Sequence, residues 1–142
     1  MFSNPMNLTT DLLSLKVVVR CRDFEASRTF YTRVLGLAIF EEWEEAEGKG
    51  CILAMPHAHP ACFVEVYAMT REDRRFDPAF LRPVSNDKID LQIRTHSVDA
   101  WTRKLRDFWP FEGPEVLPGG QRWIRLRDPD NLLIAIYEEE ES

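Results

Sequence analysis

The chain has 142 residues, of which 44% are hydrophobic and 30% charged, and its formal net charge is −6. That length suits one domain with a sizeable core, and the apolar fraction excludes a disordered chain. The acidic balance argues against nucleic acid as a partner. No apolar run approaches the ~18 residues of a membrane span, so no membrane partner is expected and the cytoplasm is the expected address.

Lys16–Arg22 is short and β-branched and reads as a strand with one face in a core. Asp23 then suits a helix N-cap, Phe30, Tyr31, Val34 and Leu35 share one helical face, and Gly36 suits a left-handed helix end. Leu37–Trp43 reads as a strand, Glu44–Gly50 as a polar turn, and Cys51–Met55 and Cys62–Met69 as two further strands around Pro56–Pro60. Thr70–Asp87, charged and proline-containing, reads as a linker, with one helical turn at Asp77–Leu81. Ile89–Thr95 is the next strand, and Ser97 caps a helix that runs to Trp109 and stops at Pro110. A strand near Glu115–Leu117 and the pair Arg122–Arg127 and Leu132–Glu138, joined by the turn Asp128-Pro-Asp-Asn131, complete the plan.

The two halves repeat each other. Lys16–Asp23 lies over Asp90–Ser97, so that Val17 and Val19 meet Leu91 and Ile93, Arg20 meets Arg94, and cap meets cap. Further on, Tyr31, Val34 and Leu35 fall on Leu105, Phe108 and Trp109, and Glu65–Tyr67 falls on Ala135–Tyr137. Such duplication predicts an α+β fold of two βαβββ modules within residues 1–142, one over about 13–69 and one over about 88–139, with 70–87 between them. The helical-spacing aromatics Tyr31, Trp101, Phe108 and Trp109 are expected in the core. Cys21, Cys51 and Cys62 are odd in number and unclustered, which suggests neither a disulfide framework nor a zinc module. His57-x-His59 with Cys62 has donor atoms at plausible spacing but lies between prolines in a hairpin loop, and reads as an exposed turn.

Arg22–Tyr31, followed by Val34-Leu-Gly-Leu37 and by Asp128-Pro-Asp-Asn131 before a closing strand, resembles the vicinal oxygen chelate superfamily. This group contains glyoxalase I, extradiol dioxygenases and the bleomycin-resistance proteins. The resemblance implies two modules whose curved mixed sheets form a cup with the helices packed outside. It also implies a homodimer that covers the exposed sheet edges. Metal-dependent members hold an ion with His, Glu, His and Glu on the first and fourth strands of each module. Those positions fall here on Lys16, Glu65, Asp90 and Ala135. An ammonium repels a cation and alanine has no donor, so no metal and no other cofactor is expected. Lys16, held near Glu65 and Asp90, would replace the missing ion.

Strand alternation around Lys16 then lists the residues lining the cup. The expected ligand-binding set is Lys16, Arg20, Phe63, Glu65, Tyr67, Asp90, Gln92, Arg94, Trp123, Arg125 and Tyr137, with Ala135 leaving room between them. No catalytic residue is identified. The leading expectation is a binding protein for a small molecule, anionic or neutral because Lys16, Arg20, Arg94, Arg125 and Arg127 outnumber Glu65 and Asp90. The alternatives are a metal-dependent lyase, isomerase or dioxygenase of the glyoxalase type, and a ligand-free scaffold or regulatory dimer in which the charges pair internally.

Overall fold

A computed structural model describes residues 12–56, 62–69 and 82–139. The first module contains β1 (Leu15–Arg20), α1 (Phe24–Thr29), β2 (Ala38–Glu45), β3 (Gly48–Ala54) and β4 (Cys62–Met69). The second contains β5 (Asp90–Arg94), α2 (Val98–Leu105), β6 (Glu112–Val116), β7 (Arg122–Arg127) and β8 (Leu133–Glu138). Each module forms a four-stranded mixed sheet, ordered β1-β4-β3-β2 in one and β5-β8-β7-β6 in the other. In both sheets the first and last strands of the module are parallel neighbours, and the remaining pairs are antiparallel. The repeat in the sequence is therefore a repeat in three dimensions, and the fold class is α+β.

Local chemistry explains most of the boundaries. Asp23 and Ser97 both sit in extended backbone and accept hydrogen bonds from the amides three residues on, Ala26 at 3.1 Å and Ala100 at 3.0 Å. After Thr29 the first helix widens into one π-helical turn over Phe30–Val34, where the Leu35 amide donates to the Phe30 carbonyl at 3.0 Å. Gly36 ends it at φ +77°, in the left-handed region where a Cβ is disfavoured.

The core lies against the helix-bearing faces of both sheets as one cluster. Val19, Phe30, Tyr31, Leu53 and Val66 of the first module join Val98, Leu105, Ile124, Ile134 and Ile136 of the second. Val17, Leu91 and Ile93 pack against the same cluster, as the shared parity of the repeat requires. Side chains join the modules on this side too. Tyr31 donates its hydroxyl proton to Asp128 at 2.7 Å, Arg22 Nε donates to Asp130 at 2.8 Å, and the Phe30 ring lies 4.8 Å from that of Trp109.

Four sequence expectations are corrected. The polar turn at Glu44–Gly50 is a hairpin of only two turn residues, Ala46 and Glu47, because the glycines pair in β3 rather than bend the chain. β6 begins at Glu112, earlier than expected, with a register shift between Glu112 and Glu115. The second helix stops at Leu105 instead of reaching Trp109. There Arg106 leaves helical geometry, Asp107 takes φ +62°, and the amides of both Phe108 and Trp109 donate to the Leu105 carbonyl. This reversal brings Trp109 onto Phe30 and lets its Nε1 donate to the Arg127 carbonyl at 2.9 Å. Fourth, Phe108, expected in the core, is 55% exposed: once the chain reverses, one of the two neighbouring rings faces water, and Trp109 has the polar partner that buried indoles need. The expected helical turn at Asp77–Leu81 and the His57-x-His59 pair lie outside the described residues.

Candidate functional site

Opposite the helices, each sheet leaves a face that carries the predicted site residues, with β1 of one module and β5 of the other as their first strands. On the first sheet Lys16, Val18 and Arg20 stand in register with Phe63, Glu65 and Tyr67. Those residues continue in register to Ala54, Ile52 and Gly50 on β3, and Gly50 to Trp43 on β2. On the second sheet Asp90, Gln92 and Arg94 align with Leu133, Ala135 and Tyr137, and these with Arg127, Arg125 and Trp123. The structure thus gathers the sequence-predicted residues into two sets, one on each module.

Lys16 Nζ lies 2.7 Å from Glu65 Oε1, the contact implied by the family resemblance, with the carboxylate largely covered and the ammonium half exposed. The third member of the expected cluster is not there. Asp90 makes no ion pair with Lys16 and accepts a hydrogen bond from Gln92 Nε2 at 3.1 Å instead, because its strand belongs to the other sheet. Tyr67 is largely buried beneath Trp43, whose ring stacks on it at 6.3 Å, so Trp43 is the outer aromatic at that position. Phe40, turned by a bulge in β2, reaches Phe63 at 5.4 Å. Neither Trp43 nor Phe40 was in the sequence-predicted set. A glycine facing an aromatic across two strands was the available signal for Trp43.

The expected excess of positive charge is also corrected. Arg125 Nη2 meets Glu112 at 3.1 Å and Glu115 at 3.2 Å, both from the edge strand β6. Arg127 forms a two-pronged pair with Asp87 at 2.7 and 3.0 Å. These hydrogen bonds hold Asp87 below the usual carboxylate range and raise Arg127 above its ordinary value. Arg94 lies 3.8 Å from Glu139, at the limit of an ion pair. Sequence alternation identified the arginines, but their partners come from neighbouring strands and segments that it does not relate to them.

Space over Ala135 is a further correction. Its side chain is fully covered, between Gln92 and Arg125 in register, and leaves no opening of its own. The opening lies beside it, in a cavity of about 420 Å³ that Arg125, Arg127 and Leu133 share with Trp109, Phe111 and Glu112. Two buried donors of β7 have no hydrogen-bond partner among the described residues, Trp123 Nε1 and Arg125 Nε, and of the two residues Arg125 lines the cavity. The Arg125 guanidinium lies over the Trp123 ring, 5.6 Å from its centroid.

The donor set does not fit the metal of the metal-dependent relatives. Lys16 is engaged as a cation with Glu65, Ala135 offers no lone pair, and no three His, Cys, Asp or Glu side chains among the described residues are grouped to hold an ion. Thiol chemistry finds no support in the core either. Burial pushes Cys21 up to about 12 and Cys51 up to about 11, which keeps both protonated at neutral pH.

Comparison with known proteins agrees with this architecture. The profile described as Glyoxalase/Bleomycin resistance protein/Dioxygenase superfamily matches residues 14–136. Among solved structures, TnmS3, an antibiotic binding protein from Streptomyces sp. CB03234, aligns with a TM-score of 0.69 at 19% identity, covering 95% of this chain and 99% of that one. A glyoxalase/bleomycin resistance protein/dioxygenase from Nocardioides aligns with a TM-score of 0.71 at 19% identity, covering 96% and 89%. A superfamily member from Sphaerobacter thermophilus aligns at 0.66 and 20% identity, covering 89% and 96%. At such identities the likeness is one of fold. Comparison with curated proteins returns no match. The duplicated βαβββ plan and a family profile spanning nearly all of it lead to one assignment: the chain belongs to the glyoxalase/bleomycin resistance protein/dioxygenase superfamily.

Proposed function

We propose that this chain binds a small molecule on the open faces of its two sheets and does so without a metal ion. The observation that carries this reading is the Lys16–Glu65 pair, which puts a neutralised cation where metal-dependent relatives need a ligand, together with the donorless Ala135. An antibiotic binding protein of the same fold supports a binding role in place of a catalytic one. The expected ligand-binding residues remain Lys16, Arg20, Phe63, Glu65, Tyr67, Asp90, Gln92, Arg94, Trp123, Arg125 and Tyr137, and Trp43 joins them. Between the anionic and neutral ligands expected from sequence, the carboxylate partners of Lys16, Arg94, Arg125 and Arg127 favour a neutral one. We also infer a two-fold homodimer as the working form.

Metal analysis of the purified chain and a thermal-shift screen test the reading together. The screen contains small carboxylates, phosphates, neutral aromatics and cationic antibiotics. A true ligand at a hundred times its Kd stabilises by about 2.7 kcal/mol, and a chelator should leave the melting temperature unchanged. Stoichiometric zinc, nickel, iron or manganese would instead establish the metal-dependent lyase, isomerase or dioxygenase reading. The same internal ion pairs favour a ligand-free scaffold as the second reading, which a screen with no stabilising compound would support.

A further inference from the structure

Resting on the small-molecule reading above, we propose that the second sheet takes an uncharged aromatic molecule bearing a carbonyl or ether oxygen, which completes the hydrogen bonding of Trp123 Nε1 and Arg125 Nε. Both atoms are buried without a partner among the described residues, and they belong to residues two apart on β7, hence on one face. An indole N–H and a guanidinium N–H only donate, so the missing group must accept. A buried donor left unsatisfied destabilises the folded chain, and the site has two.

Charge decides between kinds of acceptor. Glu112 and Glu115 already hold the Arg125 terminus, and Asp87 holds both terminal nitrogens of Arg127. An anion arriving here would have to displace one of these carboxylates, whereas a carbonyl or ether oxygen would not. Shape decides the rest. Trp109, Phe111 and Leu133 line a cavity of about 420 Å³ that Arg125 also borders, and offer apolar and aromatic surface of ligand size. Access requires Arg125 to move off the Trp123 ring. Its terminus is held by ion pairs to the exposed Glu112 and Glu115, and such pairs contribute little. The guanidinium can therefore shift to admit a ligand whose oxygen sits at the edges of the indole and the guanidinium, where their N–H groups point.

Three matched probes test this: 9-fluorenone, fluorene, which has the same rings and no acceptor, and 9-fluorenone-2-carboxylate, which adds an anion. Tryptophan fluorescence titration gives the affinities. The indole N–H resonance of Trp123, identified by its loss in Trp123→Phe, reports the new hydrogen bond. Fluorenone should bind at least tenfold more tightly than fluorene and no more weakly than the carboxylate, and should shift that resonance. Trp123→Phe and Arg125→Lys, each checked for an unchanged circular dichroism spectrum, should reduce the preference for fluorenone over fluorene severalfold. Equal binding of fluorene and fluorenone, or preference for the carboxylate, would overturn the ligand class while leaving small-molecule binding intact. Failure of all three probes would overturn it as well, and the broad thermal-shift screen then judges the binding reading separately.

Discussion

Two aspartates carry the link between the modules. Asp128 accepts hydrogen bonds from the Tyr31 hydroxyl at 2.7 Å and from the amides of Asp130 and Leu132, each at 2.8 Å. Asp130 accepts from Arg22 and from the Ser27 hydroxyl. Both carboxylates are buried, so losing a partner exposes neither to water to compensate. Tyr31→Phe should therefore destabilise the chain by about 1.5–3 kcal/mol, measured by urea unfolding, because it leaves one Asp128 oxygen without a donor. Desolvation on burial raises Asp128 above the usual carboxylate range, and it raises Tyr31 further as well. The folded chain thus holds the Asp128 proton to a higher pH than the unfolded chain does. Its contribution to stability is full below the ordinary aspartate value and is lost as pH rises through the raised one. Asn can accept both amide protons and donate to the Tyr31 oxygen, so Asp128→Asn should keep the fold and remove this titration. The stability of the native chain relative to Asp128→Asn should fall as pH rises from about 3 to 7. A difference independent of pH would count against the assignment. Asp87 and Asp99, lowered by hydrogen bonds from Arg127 and Arg122, act in the opposite sense and weaken the fold as pH falls.

Among the elements, the β2–β3 hairpin shows how a backbone feature shapes the open face. Trp43 lies across Gly50, and a Cβ there would stand 2.7 Å from Trp43 Cζ2 and 2.8 Å from the Val66 carbonyl oxygen. The glycine is needed for this close approach, which in turn lets the indole cover Tyr67. Gly50→Ala should cost about 1–3 kcal/mol through overpacking. It should also displace the Trp43 ring, read as a red-shifted tryptophan emission and weakened near-ultraviolet circular dichroism. Unchanged spectra and stability would mean that the indole does not rest on the glycine in solution. The second helix makes a comparable point. Its apolar spacing runs on to Trp109, yet the chain leaves the helix at Arg106 because packing Trp109 on Phe30 requires a reversal that no straight helix provides.

For the whole molecule, the open question is what covers the sheet edges. β1 and β2 border one sheet, β5 and β6 the other. Exposed apolar side chains lie along or beside each of them: Leu15 on β1, Ile39 and Phe40 on β2, Ile89 ahead of β5 and Val116 on β6. Open edges with apolar flanks invite strand pairing or packing by another chain unless they are covered. A second copy, related by a two-fold axis, would cover equivalent edges in both chains at once. Sedimentation velocity at micromolar concentration should therefore give a species of twice 16.6 kDa, and a monomer alone would reject the dimer.

The order of the strands, the two caps, the repeat and the parity of the residues on β1, β4, β5, β7 and β8 were legible in the sequence. They depend on period and on hydrogen bonds between near neighbours, which a short window contains. Lys16 and Glu65 could be paired in advance only because the repeat and the family resemblance placed both on one face. The carboxylates that meet Arg125 and Arg127, the indole on Gly50, the packing of Trp109 rather than Phe108 against the core and the Tyr31–Asp128 bond between modules were decided by the tertiary structure. Each depends on how separate elements are registered and packed, a competition among distant side chains for partners and buried space that no local pattern records.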